Sequence, residues 1–309
     1  MRRLLEWFAG HGSVAFPVSL AVGLLAPPVA AAMRPALVPV VLVLTFFVLL
    51  RTDLAAALAE LRRPGALLAV VAASLVASPP AAMAAARLVG LDPGLAAAWV
   101  VTACAPSISS APAFARIMGL DASFALSASI GGMLVTPFTA PPLALSLAGI
   151  DLALTWPAMM ARLSAFIGVP LLAAIVARRI APGWLAQRGR AIDGITVLTL
   201  CIFATTVMDG VTALALDAPR RAAEMAGAAF LLNALLFAAG SLLFAAAPAR
   251  RAATAGLLLG NRQMALMLAV LPADAPQDVM LFLAVAQLPL YLNPFRRRPL
   301  LRRWLPPHG

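Results

Sequence analysis

Three of the residues able to do chemistry are consecutive. Asn261, Arg262 and Gln263 interrupt the otherwise apolar stretch Thr254–Val270, TAGLLLGNRQMALMLAV. Counted from Arg250 and Arg251, the Gly260-Asn261 step lies about 15 Å along a helix axis, half the thickness of a bilayer core. An ionisable group at that depth costs roughly 2.5–3.5 kcal/mol on insertion scales, so by default it marks a substrate or ion pathway. A guanidinium also stays charged, and its planar fork suits a carboxylate or sulfonate. The competing reading is structural, with Arg262 snorkelling to an interface or pairing with a carbonyl inside a bundle. A second polar cluster, Ser107, Ser109 and Ser110, follows Pro106 in a segment that starts near Gly94, again about half a bilayer from its end. The expected substrate-binding set is Arg262, Asn261, Gln263, Ser109 and Ser110, with helix breaks at Pro106, Pro112 and Gly260. Ser127, Ser129, Thr136, Asn233 and Gln287 are further polar residues within spans, of which the serines and threonines often bond only to their own helix carbonyls.

Other chemistry fits poorly. A serine-type protease needs a base, but the histidines, His11 and His308, are near the termini, and no GxSxG pattern is present. Asp193 and Asp209 fall near opposite ends of one span. No cluster of His, Cys or carboxylate offers a metal site, and Cys104 and Cys201 form neither a disulfide framework nor a CxxC pattern. The expectation is a non-enzyme with no cofactor and no metal.

Positioning polar groups at mid-depth requires membrane helices, and the composition supplies them. Of 309 residues 63% are hydrophobic and 11% charged, with a mean hydropathy of +0.97, which excludes a soluble globular domain. All 23 basic residues are arginine, and the net charge of +11 sits in short clusters between apolar runs, a topology signal and not a nucleic-acid surface. Apolar segments lie near 13–33, 36–50, 66–86, 94–118, 122–147, 156–177, 192–214, 222–246, 252–270 and 277–293, which makes ten. The first of them imitates a secretory signal peptide, with Arg2, Arg3, an apolar run and Ala30 to Ala32. A retained first helix keeps the number of spans even; cleavage is the alternative.

Seventeen arginines fall at the termini and in alternate loops, and four in the opposite loops, which puts both termini in the cytoplasm of a bacterial-type inner membrane. The C-terminal PFRRRPLLRRWLPPHG reads as a cytoplasmic anchor that can touch anionic lipid, without a specific regulatory site. Ten spans divide into five and five, about 13–147 and 156–293, within one transmembrane domain covering 1–309. The fourth and ninth are the ones broken at mid-depth, one entering from each side. Paired interruptions at equivalent positions of inverted repeats point to a transporter's central site.

At these residues the chain resembles the bile acid/sodium symporter family, within the larger group that includes arsenite efflux and auxin-type carriers. Four stretches carry the resemblance: Leu50–Leu67, LRTDLAAALAELRRPGAL; Ala105–Asp121, APSISSAPAFARIMGLD; Pro137–Leu143, PFTAPPL; and Gly260–Leu268, GNRQMALML. It implies an all-α fold of two inverted five-helix repeats, with a core of helices three to five and eight to ten, a panel of one, two, six and seven, and alternating access as these bodies rock. The family's sodium ligands do not carry over. Ala111 and Pro112 stand where a Ser-Asn pair is expected, and Leu258, Gly260 and Arg262 stand where a Glu, a Gly and a Gln are expected. The reading is thus a secondary transporter for a small or amphipathic organic anion, with no sodium requirement. A sodium-coupled, bile-acid-like symporter and an anion channel are the alternatives.

Overall fold

The computed structural model describes residues 2–52, 64–149, 155–272 and 274–304. The Leu50–Leu67 connection is described only at its ends, and Asp151 and His308 lie outside the described residues. The described chain is helical, with short turns and one isolated antiparallel bridge. Helix is the economical answer in hydrocarbon, where each backbone polar group must find its partner inside the protein. Seven helices among the described residues are long and apolar enough to cross a membrane: Pro27–Arg51, Pro64–Val89, Ala122–Ala148, Trp156–Ile180, Gly189–Asp217, Pro219–Leu243 and Gln277–Pro299. The protein is a multi-pass, all-helical membrane protein.

The first two spans are not divided as the hydropathy pattern divides them, at 13–33 and 36–50. One helix runs Arg2–Leu25 with a kink at His11 (φ −115°, ψ 18°), and the next begins at Pro27. The cause is local. Proline disfavours helical geometry in the residue before it, and Ala26 is non-helical (φ −125°, ψ 68°), whereas proline in a first helical turn loses no hydrogen bond. Pro137, Pro141 and Pro142 behave differently, since Ala122–Ala148 remains one helix of 27 residues around them.

Two compact units divide the chain. In the unit made of Met1–Thr52 and Ser164–Ala223, the Arg2–Leu25 helix packs along Gly189–Val207. A β-carbon on Gly23 would lie 2.7 Å from the Thr205 carbonyl oxygen, so the helices approach at van der Waals contact. Thr205 Oγ1 donates to Ser19 O at 3.1 Å and Thr212 Oγ1 to Leu24 O at 2.6 Å, stitching the same seam. Arginines finish this unit's helices. Arg178 donates to the carbonyls of Leu49 (2.6 Å), Leu50 (2.8 Å) and Thr52 at the C-terminal end of Leu37–Arg51, satisfying groups that a helix end leaves without partners. Arg51 forks onto Asp193 at 2.7 and 3.1 Å, and Arg34 reaches Asp209 at 3.2 Å.

The unit made of Asp53–Leu163 and Glu224–Gly309 holds both polar clusters. Helix Pro64–Ala72 passes through a π-helical turn, Ala73–Ala77, into Ser78–Val89. Asp92 starts the next helix, Pro93–Cys104, by accepting from the Gly94 and Leu95 amides at 3.0 and 3.2 Å. Asp121 starts Ala122–Ala148 by accepting from Phe124 N at 2.9 Å. All of Leu95–Cys104 and Ala252–Gly260 is buried, as expected of segments apolar on every side. Gly240 and Gly256 let Pro219–Leu243 and Ala249–Gly260 close against each other, since a β-carbon on Gly240 would lie 2.7 Å from the Ala255 oxygen.

Candidate functional site

Both polar clusters interrupt helices, and the first does so at a proline. Pro93–Cys104 ends where Ala105 turns extended (φ −66°, ψ 147°) ahead of Pro106, and Ala249–Gly260 ends where Asn261 does so (φ −102°, ψ 101°). The two extended stretches lie antiparallel, with Ser107 opposite Arg262. Ile108 N–H donates to Asn261 O at 2.9 Å, and Gln263 N–H donates to Pro106 O at 2.8 Å. Backbone groups released by one break are thereby satisfied by the other. Ser107 Oγ adds a bond to Leu258 O at 2.9 Å. Pro106 lies in the first break and Gly260 is the last helical residue before the second. Pro112 belongs instead to the first turn of Ala111–Met118, so it begins a helix and breaks none.

Arg262 is wholly buried, and its fork faces the protein. Nε donates to Leu259 O at 2.7 Å; Nη1 lies 2.8 Å from Ser74 O, 2.6 Å from Ser74 Oγ and 3.0 Å from Ala105 O; Nη2 donates to Ser78 Oγ at 2.8 Å. Each of these acceptors is neutral. The expectation that the fork lies open to a cargo carboxylate therefore does not describe this arrangement, in which serine and carbonyl oxygens occupy it. The same oxygens bear on sodium, which prefers several oxygen ligands and usually a carboxylate. Here the oxygen nest surrounds a guanidinium and contains no carboxylate, so it does not fit the ion. Among the described residues no three or more His, Cys, Asp or Glu side chains come together to hold a metal.

Ser74 and Ser78 were not among the sequence candidates. Their spacing of four places both on one face of a helix, directly before Pro79-Pro80, and that pair is the signal that could have found them. The π-helical turn contains Ser74. Such turns re-aim backbone and side-chain groups and recur at functional positions.

Asn233, a lesser candidate by sequence, is a buried hub. Its Nδ2 donates to Gly260 O at 2.7 Å and Asn261 Oδ1 at 3.1 Å, while its Oδ1 accepts from Asn293 Nδ2 at 2.7 Å and Arg297 Nη2 at 2.9 Å. Asn261 is wholly buried, with Nδ2 3.4 Å from Leu290 O. Gln263, Ser109 and Ser110 lie at the half-buried edge of the crossing. Gln263 Oε1 accepts from Ser109 N at 2.9 Å and Ser109 Oγ at 2.6 Å. Ser110 Oγ is buried without a hydrogen-bond partner among the described residues. Ser127, Thr136 and Gln287 bond to carbonyls four residues back in their own helices, and Ser129 reaches Ile108 O at 3.4 Å.

A crossing of two broken helices in a multi-pass protein is transporter geometry. The model of the sodium bile acid symporter family matches residues 38–215, more than half of the chain. The chain belongs to this family. It is accordingly a secondary transporter with a small-molecule cargo, and not an enzyme. No curated protein matches the chain. In this symporter-family protein the matched residues include the first break, Ala105 to Ser110, and end before the second, so Arg262 lies in the unmatched part.

Proposed function

We propose that this transporter carries a small or amphipathic organic anion by alternating access, and that Arg262 permanently supplies the positive charge that a bound sodium ion would otherwise bring. The observation that carries the reading is a buried guanidinium whose hydrogen bonds all go to neutral oxygens. The hydrogen bonds offset its desolvation but leave its charge uncompensated. At an effective dielectric near 20, an anion about 8 Å away gains about 2 kcal/mol from that charge. Arg262 then acts by its field, and Ser109, Ser110, Gln263 and Asn261 are the polar groups nearest the cargo. The Ser110 hydroxyl, without a partner among the described residues, supports this, because an unsatisfied buried group costs about 1–3 kcal/mol that a ligand can return.

The same reading takes the chain as one transmembrane domain of two inverted repeats in a bacterial-type inner membrane. Added to the seven helices long and apolar enough to cross, the kinked first helix and the two helix–break–helix segments would bring the passes to ten. The two compact units support a division into panel and core helices, although the boundary between Leu163 and Ser164 falls inside the panel helix Trp156–Ile180.

Counterflow uptake into proteoliposomes tests the function, over carboxylates and sulfonates with sodium and with choline as the only cation. Saturable, counterflow-stimulated anion uptake that is the same in both media is expected. The family's description favours a second reading, sodium-coupled uptake. Steep dependence on sodium would establish that reading and remove the role given to Arg262.

A further inference from the structure

The C-terminal arginines form a surface anchor by sequence, yet one of them turns inward. Arg297 donates through Nη2 to Asn233 Oδ1 at 2.9 Å, and its guanidinium carbon lies 4.0 Å from the centre of the Phe237 ring. Arg296 stands over the Phe230 ring at 5.9 Å. Between them is a cavity of about 350 Å³ lined by Phe230, Ala234, Asn293, Arg296 and Arg297, all within one compact unit. Its lining carries two positive charges and no acidic residue. The adjoining Arg298 keeps a buried Nε–H without a partner among the described residues.

We infer that this cavity binds the phosphate headgroup of an anionic phospholipid through Arg296 and Arg297, and that occupancy is felt at the crossing through Asn233. Charge selects an anion, and the walls select its source. Ala234 is exposed on a membrane-spanning helix, next to the exposed Leu231 and Leu235, the kind of surface that acyl chains cover. The arginines come from the end of one span, Gln277–Pro299, and the Phe230–Ala234 wall from the middle of another, Pro219–Leu243, so a headgroup reaches the pocket where the bilayer thins locally around the arginines, with its chains along such a face. Phosphate oxygens compete with Asn233 Oδ1 for the Arg297 N–H groups, and a charged acceptor is the stronger partner. Asn233 in turn holds Gly260 O and Asn261 Oδ1, so one side chain separates the headgroup from the second break. The inference does not depend on what the protein carries.

Native mass spectrometry of the delipidated full-length protein tests binding, with phosphatidylglycerol, phosphatidylcholine and glycerol phosphate as probes. Wild type should retain phosphatidylglycerol at least tenfold better than phosphatidylcholine. The double variant Arg296→Gln/Arg297→Gln should lose that preference, and Arg190→Gln, an exposed arginine of the other unit, should keep it. Equal phosphatidylglycerol binding by the double variant, or glycerol phosphate binding as tightly as the lipid, overturns the site. If the double variant does not fold, the quenching that Phe230→Trp adds to that of the wild-type tryptophans decides: added quenching by brominated phosphatidylglycerol but not by brominated phosphatidylcholine is expected, and equal added quenching overturns the site. Amide exchange across residues 260–263 should rise at least threefold when phosphatidylglycerol binds. Unchanged exchange with lipid bound refutes the link through Asn233.

Discussion

Ser110 and Ser107 are three residues apart in one break and make opposite predictions. Ser107 Oγ is bonded to Leu258 O, whereas Ser110 Oγ has no partner among the described residues. Ser107→Ala should therefore lower stability by about 1 kcal/mol, seen as a lower thermal midpoint in detergent, with little change in cargo affinity. Ser110→Ala should raise the midpoint, since it removes a buried hydroxyl without a partner among the described residues, and raise the transport KM about ten- to a hundredfold, the worth of one hydrogen bond to a charged group. A KM unaffected by Ser110→Ala would take that residue out of the cargo site. Arg262 gives a third test. Arg262→Met strands the Leu259, Ala105 and Ser74 oxygens and should cost at least about 1–3 kcal/mol, the penalty of one unsatisfied buried group, whereas Arg262→Lys, which keeps the charge and can still donate, should cost less. Equal losses would show that its packing matters and its charge does not. The special character of Asn261 to Gln263 was legible in sequence, because polar residues at mid-span are expensive wherever they point. The direction of the Arg262 fork was not legible. Its hydroxyl partners stand 184 and 188 residues away, and although their spacing of four marks them as a pair, nothing in it ties them to Arg262.

At the scale of elements, close packing brings Asn233 to the second break. Gly240 and Gly256 face each other's backbones, and a β-carbon on Gly260 would lie 3.1 Å from the Asn233 carbonyl oxygen. Gly240→Val therefore forces the two helices apart. It should cost about 1–3 kcal/mol as overpacking and loosen the Asn233 contacts, visible as a lower thermal midpoint and faster amide exchange over 260–263. Gly227 lies in the same helix with nothing within 4 Å of an added β-carbon, so Gly227→Ala should be neutral or slightly stabilising. Comparable damage at both positions would deny that glycine contact sets the helix spacing. Sequence periodicity found these helices but misplaced the first boundary, since hydropathy runs smoothly through Ala26 while backbone geometry does not. It also overvalued proline: Pro106 sits in a break, Pro112 starts a helix, and Pro137 lies inside one. A proline's effect depends on its place in the turn, which residue counting alone does not give.

For the whole molecule, composition sufficed to show a multi-pass membrane protein, whereas the number and direction of the passes depend on segments that hydropathy measures poorly. The kinked Arg2–Leu25 helix and the two broken segments each fall short of an uninterrupted span. If each nevertheless crosses, the count is ten and the two termini share a side. On the proposed topology that side is the cytoplasm, because clusters such as Arg250-Arg251 and Arg296 to Arg298 resist translocation. Fusions of a phosphatase active only outside and a fluorescent protein active only inside separate the possibilities. Placed after Gly309 and in the Ala181 to Arg190 connection, both should report the cytoplasm. A fusion between Leu271 and Gln277 should report the outside, because the second broken segment then crosses fully. Should that fusion report the cytoplasm as well, Ala249–Val270 enters and returns on one side, the pass count becomes odd, and the inverted-repeat reading fails although the crossing at Ser107 and Arg262 remains.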